Sequence, residues 1–361
     1  MGAALKRIAI VSEDLSYPLD EGFKKASAAL ALAVAGRGVS VSVFSRRAEG
    51  LPLRARRLPA NKLLLGSSFG RDLAAARPQA VLYLPEAAAT LMSLVRARML
   101  QAQAKGAPVV VLSLQRRDYS GFAKLFLRHL APALVLVLSR RTQAAARAAG
   151  LNAETVPLGV DCRTFRPPGP GEKRDLREKY GIPDSKVILH VGHISPSRNL
   201  GLLRRALAPG RHLAVVSSTS TRVHPEVRRE LEGAPVSFLD QYIERIEEIY
   251  RLADCYVFPT FSDRGAIEIP LSVLEAMATN LPVVTSSFGG LADAFEDRAA
   301  CERQGLFMAA SRDEFIDKLE PAIRLADVAT RQLVRDLSWD RVAELVLEKI
   351  AGLLPTASGG E

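Results

Sequence analysis

Residues 253–293 read ADCYVFPTFSDRGAIEIPLSVLEAMATNLPVVTSSFGGLAD. An apolar run at 255–259 has the length and β-branched content of a buried strand, and it delivers the chain to a polar loop. Pro270 then opens a helical segment, 270–279, with Glu275 in its second turn. Asn280 closes that helix, 281–285 forms the next strand, and Gly289-Gly290 supplies a tight turn. Strand, helix and strand in this order predict parallel strands joined by a crossover helix. Carboxylates at the carboxyl end of such a strand hold the hydroxyls of a sugar or ribose, while helix N-terminal amides hold phosphate.

The same alternation extends in both directions. Candidate strands in the first half are 7–11, 39–44, 80–84, 108–112 and 133–138, separated by helical periods at 21–35, 87–104 and 141–149. A second series has strands at 186–191, 212–216, 236–239, 255–259 and 281–285, with helices at 199–208, 225–232, 243–253 and 270–279. Between the series lies RPPGPG, a run of helix and strand breakers. The chain therefore divides into a Rossmann-like domain at 1–160, a linker at 161–185 and a second Rossmann-like domain at 186–338. A closing helix at 339–354 is expected to return to the first domain, and 355–361 is a loose tail. Two doubly wound α/β domains place ligands at the carboxyl ends of their strands, facing a cleft between the domains.

Composition narrows the partners. The chain has 361 residues, more than one core usually supports, with 48% hydrophobic and 24% charged residues. Cys162, Cys255 and Cys301 are far apart, which fits a reducing cytoplasm and argues against a disulfide framework or a zinc site. The apolar stretch behind Lys6 and Arg7 is too short for a signal peptide, and 26–36 is too short to span a bilayer. Residues 1–160 carry 23 Lys+Arg against 9 Asp+Glu, a balance of +14, whereas the remainder is mildly acidic. A basic first domain fits either a soluble arginine-rich surface or attraction to an anionic membrane or acceptor. Nucleic acid is not expected, since no basic run is interleaved with aromatics.

Three loops carry the chemistry, all at strand ends of the second series. In VGHISPSRNL, Gly192 allows close backbone approach and His193 and Arg198 flank a Ser-Pro turn. A helix starting there would favour an anion, with Arg198 adding a forked, permanently charged donor set. In the second loop Glu268 precedes the helix, and Glu275 sits inside the apolar run LSVLEAMA, where a carboxylate needs donors. The third loop is SSFGGLAD, with Gly289 and Gly290.

Together these loops resemble the retaining GT-B glycosyltransferases of glycosyltransferase family 4 over nearly the whole chain. VGHISPSRNL is similar to the family's VGR-x-x-x-x-KG loop, and IPLSVLEAMATNLPVVTSSFGGLAD to its EGFG-x-x-x-LEAMA-x-G-x-PVV-x-S-x-x-GG segment. PLGVDCRTFRP resembles the linker NGVD-x-x-x-FRP. The resemblance implies metal-independent transfer of a hexose from a UDP- or GDP-sugar to an acceptor, with retention of anomeric configuration and no cofactor. It implies that Glu275 binds ribose hydroxyls and that Arg198 stands at the pyrophosphate-binding lysine. His193 stands at the family's arginine, Gly22 approaches the donor phosphates, and Tyr242 lies near the nucleobase. Gly192, Leu271, Ser272, Gly289 and Gly290 complete the donor set. The expected acceptor is lipid-linked or polyanionic, and the expected location is cytoplasmic, peripheral at the inner face of the membrane.

Besides His193, four positions depart from the family pattern. Ile267 occupies the place of the first glutamate, so Glu268, one residue late, is the candidate for the donor sugar, with Asp263 as second choice. Pro270 replaces a glycine and removes an amide donor. Leu114 and Gln115 fall where a first-domain histidine is common. These departures keep two other readings open, a nucleotide-sugar-binding pseudoenzyme or partner subunit, and a GT-B epimerase or phosphorylase.

Overall fold

A computed structural model describes residues 5–47, 50–86, 88–119, 121–219, 224–262 and 266–355, with backbone alone for 122–126. Two compact units emerge. The first comprises Met1–Leu158, Gly265–Glu268 and Trp339–Glu361, and the second Gly159–Arg264 and Ile269–Ser338.

The first unit is built on seven parallel strands: β1 (Arg7–Ser12), β2 (Ser40–Ser45), β3 (Ala55–Arg57), β4 (Ala80–Leu84), β5 (Val109–Leu112), β6 (Leu134–Val137) and β7 (Ala153–Thr155), in the order β3-β2-β1-β4-β5-β6-β7. All five residues of β4 and all four of β5 and β6 are buried, as expected of strands covered on both faces. The order reverses between β1 and β4, which makes their carboxyl ends the topological switch point. The closing helix Trp339–Ala351 packs on the helix Gly22–Ala35, burying Val342, Ala343, Val346 and Ile350 at helical spacing.

The second unit has six parallel strands: β8 (Lys186–Val191), β9 (Arg211–Val216), β10 (Val236–Leu239), β11 (Cys255–Phe258), β12 (Val283–Ser286) and β13 (Leu306–Ala309), in the order β10-β9-β8-β11-β12-β13. Its switch point lies between β8 and β11. The stretch 161–185, which the sequence presents as linker, carries the helix Glu172–Tyr180 between two left-handed glycines, Gly171 and Gly181. Arg177 on that helix binds the Leu252 carbonyl and Asp254, fastening it to the second unit.

One sequence expectation is corrected here. Residues 199–208 do not form an α-helix. The loop after β8 folds as two 3₁₀ segments, Pro196–Arg198 and Leu200–Ala206, broken at Asn199, whose φ is +51°. With neither segment an α-helix, the macrodipole expected for this loop is largely absent.

Candidate active site

The second unit brings most of the sequence-selected residues to its switch point. Gly192 and His193 leave the end of β8, Thr260 follows β11, and Gly289-Gly290 follow β12. The helix Leu271–Ala278 starts at Pro270, whose missing N–H falls at a position that needs no intrahelical donor.

Arg198 is the centre of this end of the sheet. It is 7% exposed, its Nη1 lies 3.3 Å from Thr260 Oγ1, and its guanidinium sits 5.5 Å from the centre of the Phe258 ring. Burial lowers its pKa, although a guanidinium stays charged at any working pH. Asn199 donates to the Pro259 carbonyl at 2.9 Å, and Ser286 Oγ donates to the Thr260 carbonyl, so β8, β11 and β12 are locked around the arginine. Phe258 in turn meets Phe288 edge-on, with centroids 5.7 Å apart.

Glu275 is 4% exposed, and its Oε2 accepts the Tyr250 hydroxyl at 2.8 Å. Burial, then the neighbouring Glu275 charge, pushes the Tyr250 phenol far above its ordinary pKa, so it remains a donor. Ser272, half-buried on the same helix, is hydrogen-bonded to Tyr256, and Tyr256 donates to the Val191 carbonyl. Leu271 is buried in the first turn of that helix. Tyr242 is 42% exposed on the loop after β10.

Below the Gly192 turn lies a histidine that sequence reading passed over. His190 is fully buried, its Nδ1 donates to the Val257 carbonyl at 3.0 Å, and its ring stacks on Phe258. Burial drives its pKa down to about 4, so the ring is neutral near pH 7. Its Nε2 has no hydrogen-bond partner among the described residues, and it lies 3.2 Å from where a Cβ on Gly192 would stand. A side chain at 192 would therefore crowd the imidazole, besides being strained at φ +157°.

Glu268 and Gly22 belong to the first unit instead. Oε1 of Glu268 accepts from Ser139 Oγ and Thr142 Oγ1, both at 2.7 Å, and its backbone N–H bonds the Leu114 carbonyl. Ser139 is the N-cap of the helix Arg140–Ala148, so the carboxylate sits against a helix N-terminus. Gly22 opens the helix Gly22–Ala35, and a Cβ there would meet Ile267 at 3.0 Å. The residue at the family's first-acid position is thus packed on the first-unit helix by its aliphatic side chain. Asp263 lies outside the described residues.

With this geometry in place, the comparisons are specific. Residues 185–324 match the family model described as Glycosyl transferases group 1. That stretch is a group 1 glycosyltransferase domain. The chain is similar to D-inositol 3-phosphate glycosyltransferase 2 of Catenulispora acidiphila, 36% identical over 162 residues, which are 40% of this chain and 36% of that protein. It is also similar to the sulfoquinovosyl transferase SQD2 of Arabidopsis thaliana, 26% identical over 49% of this chain and 34% of that protein. The chain thus matches these relatives over about a third of their length. The architecture is GT-B throughout. HepE from Anabaena, solved in complex with UDP, superposes with a TM-score of 0.73 at 16% identity over 96% of this chain and 100% of that one. Sucrose-phosphate synthase from Thermosynechococcus elongatus gives 0.74 at 18% identity over 96% and 99%.

Proposed function

We propose that the chain transfers a hexosyl group from a UDP- or GDP-sugar to an acceptor held by the first unit, with retention of configuration. The observation that carries this reading is the buried guanidinium of Arg198 at the β8–β11 switch point, in a group 1 glycosyltransferase domain. Arg198 and His193 hold the diphosphate, with Gly192, Gly289 and Gly290 giving backbone access. Glu275, steadied by Tyr250, takes the ribose hydroxyls, Leu271 and Ser272 offer the first-turn amides, and Tyr242 flanks the base.

In this scheme the bond from the anomeric carbon to the β-phosphate oxygen breaks as the acceptor oxygen bonds to the same face. The acceptor proton passes to the departing phosphate. Catalysis rests on positioning and on stabilising the leaving charge. Arg198 supplies that charge, so no metal is required, and a chelator should leave turnover unchanged. We assign Glu268 to positioning, because its Oε1 is engaged by Ser139 and Thr142. The acceptor in this reading is lipid-linked or polyanionic, in keeping with the +14 balance of residues 1–160. Among the described residues no helix is long and apolar enough to cross a membrane, so contact with a bilayer would be peripheral.

The test is transfer from a panel of UDP- and GDP-hexoses. Arg198→Ala is expected to lower turnover about 10²–10³-fold with an unchanged circular dichroism spectrum. Near-normal turnover would overturn the phosphate assignment. The engaged Glu268 also favours a second reading, a nucleotide-sugar-binding protein without transfer. Tight nucleoside diphosphate binding with no product across an acceptor panel would establish that one.

A further inference from the structure

Among the described residues, six large hydrophobic side chains are exposed, and four of them, Leu63, Leu65, Leu91 and Met92, lie on two segments of the first unit that are bonded together. The loop 61–65 has the sequence NKLLL. Its middle leucine, Leu64, is wholly buried in the core of the first unit, at a positive φ of 57°. Leu63 and Leu65 on either side are 38% and 43% exposed. Asn61 folds the loop by accepting from the Leu63 and Leu65 amides at 3.2 and 3.0 Å. Arg96 and Gln103, on the helix Leu91–Gln103, donate to the Lys62 and Leu64 carbonyls at 2.7 and 3.1 Å. The first turn of that helix carries Leu91 and Met92, 43% and 42% exposed, with Met92 four residues before Arg96 on the same face. The loop is anchored by these polar bonds and by the buried Leu64, and the exposed parts of Leu63 and Leu65 lie outside the core.

The surroundings are cationic. Residues 46–66 contain six Lys or Arg and a single acid, and 91–105 contain three and none. Arg96 and Arg46 both face the buried Glu13, at 2.5 and 4.0 Å, which leaves Lys62 and Arg47 among the outward charges on these two stretches. Arg46 Nη2 donates to the Asn61 carbonyl at 3.3 Å, which ties the stretch bearing the exposed Arg47 to the loop. Apolar side chains flanked by cations match the interface of an anionic bilayer, where acyl chains take the leucines and headgroup phosphates take the guanidinium and ammonium groups.

We infer that the loop 61–65 and the first turn of the helix Leu91–Gln103 form a docking surface for an anionic lipid bilayer. This rests on the transfer reading only in that a membrane-held acceptor gives docking a purpose. The experiment is sedimentation of the full chain with vesicles of phosphatidylcholine alone or mixed with phosphatidylglycerol. Binding is expected only to the mixed vesicles, and it should weaken with added salt. Leu63→Ser with Leu65→Ser should weaken it about tenfold. Lys62→Glu should weaken it about fivefold or more. Equal binding of the double variant and the wild type, or equal binding to both vesicle types, overturns the proposal. So does leucine-independent binding to heparin in place of vesicles, which would mark a site for an acidic macromolecule. Stabilisation by nucleoside diphosphate, measured on each variant, verifies folding and reports separately on the donor site. Vesicle binding without donor binding would sink the transfer reading while leaving the surface intact.

Discussion

A single buried imidazole makes the stability of the second unit depend on pH. His190 has its pKa lowered from 6.5 to about 4 by burial. Between those values the unfolded chain takes up a proton that the folded chain refuses, so stability is full above about pH 6.5 and falls as pH drops toward 4. The loss is roughly 3 kcal/mol at about 1.4 kcal/mol per pH unit. Unfolding by urea at pH 7.5 and pH 4.5 should show this difference in the wild type and a much smaller one in His190→Gln. An equal loss in both would assign the pH dependence to other groups. No sequence signal marked His190, because a histidine inside VILHV reads as an interruption of a strand. Glu275 was legible for the opposite reason, since a lone acid in LSVLEAMA has to be held by something. Glu268 was visible as an acid, but its partners Ser139 and Thr142 lie more than 120 residues away in sequence and only the fold brings them to it.

At the scale of elements, the strands with continuous apolar runs were legible except Leu306–Ala309, and the short edge strands Ala55–Arg57 and Ala153–Thr155 were missed as well. Edge strands bury less and so carry weaker patterns. The helix Glu172–Tyr180 was hidden by the neighbouring RPPGPG, although its flanking glycines are ordinary terminators. How the segment before that helix is held rests largely on one residue. Arg331, in the helix Thr330–Val334, donates to the carbonyls of Cys162 and Phe165, each at 2.7 Å, and also to Ala278 at the end of the helix that bears Glu275. Charged hydrogen bonds contribute about 1.5–3 kcal/mol each, but carbonyls near the surface recover part of the loss from water. Arg331→Ala should therefore destabilise the second unit by about 2–4 kcal/mol, with only part recovered in Arg331→Lys, whose ammonium lacks the planar fork. A midpoint shift below a tenth of that in chemical denaturation would show that the segment is held otherwise.

For the whole molecule, the division of labour between the units is the claim most exposed to measurement. The proposed function gives donor binding to the second unit and acceptor binding to the first, in keeping with the charge asymmetry and the placement of 266–268 with the first unit. A donor bound by the second unit should slow amide exchange at the strand ends that meet it: 192–200, 271–279 and 286–291. The amide of Glu268, close in sequence to Glu275, is already bonded to Leu114 in the first unit and makes an internal control. Nucleoside diphosphate at a hundred times its dissociation constant should stabilise the unit that binds it by about 2.7 kcal/mol, enough to slow exchange about a hundredfold at sites that open by unfolding that unit. Exchange mass spectrometry with UDP and with GDP separates the bases in the same experiment. Protection confined to the first unit would reverse the assignment of donor and acceptor. Protection at the three second-unit stretches, with Glu268 unchanged, would fix the donor site on the second sheet and leave the acid at 268 to its place in the first.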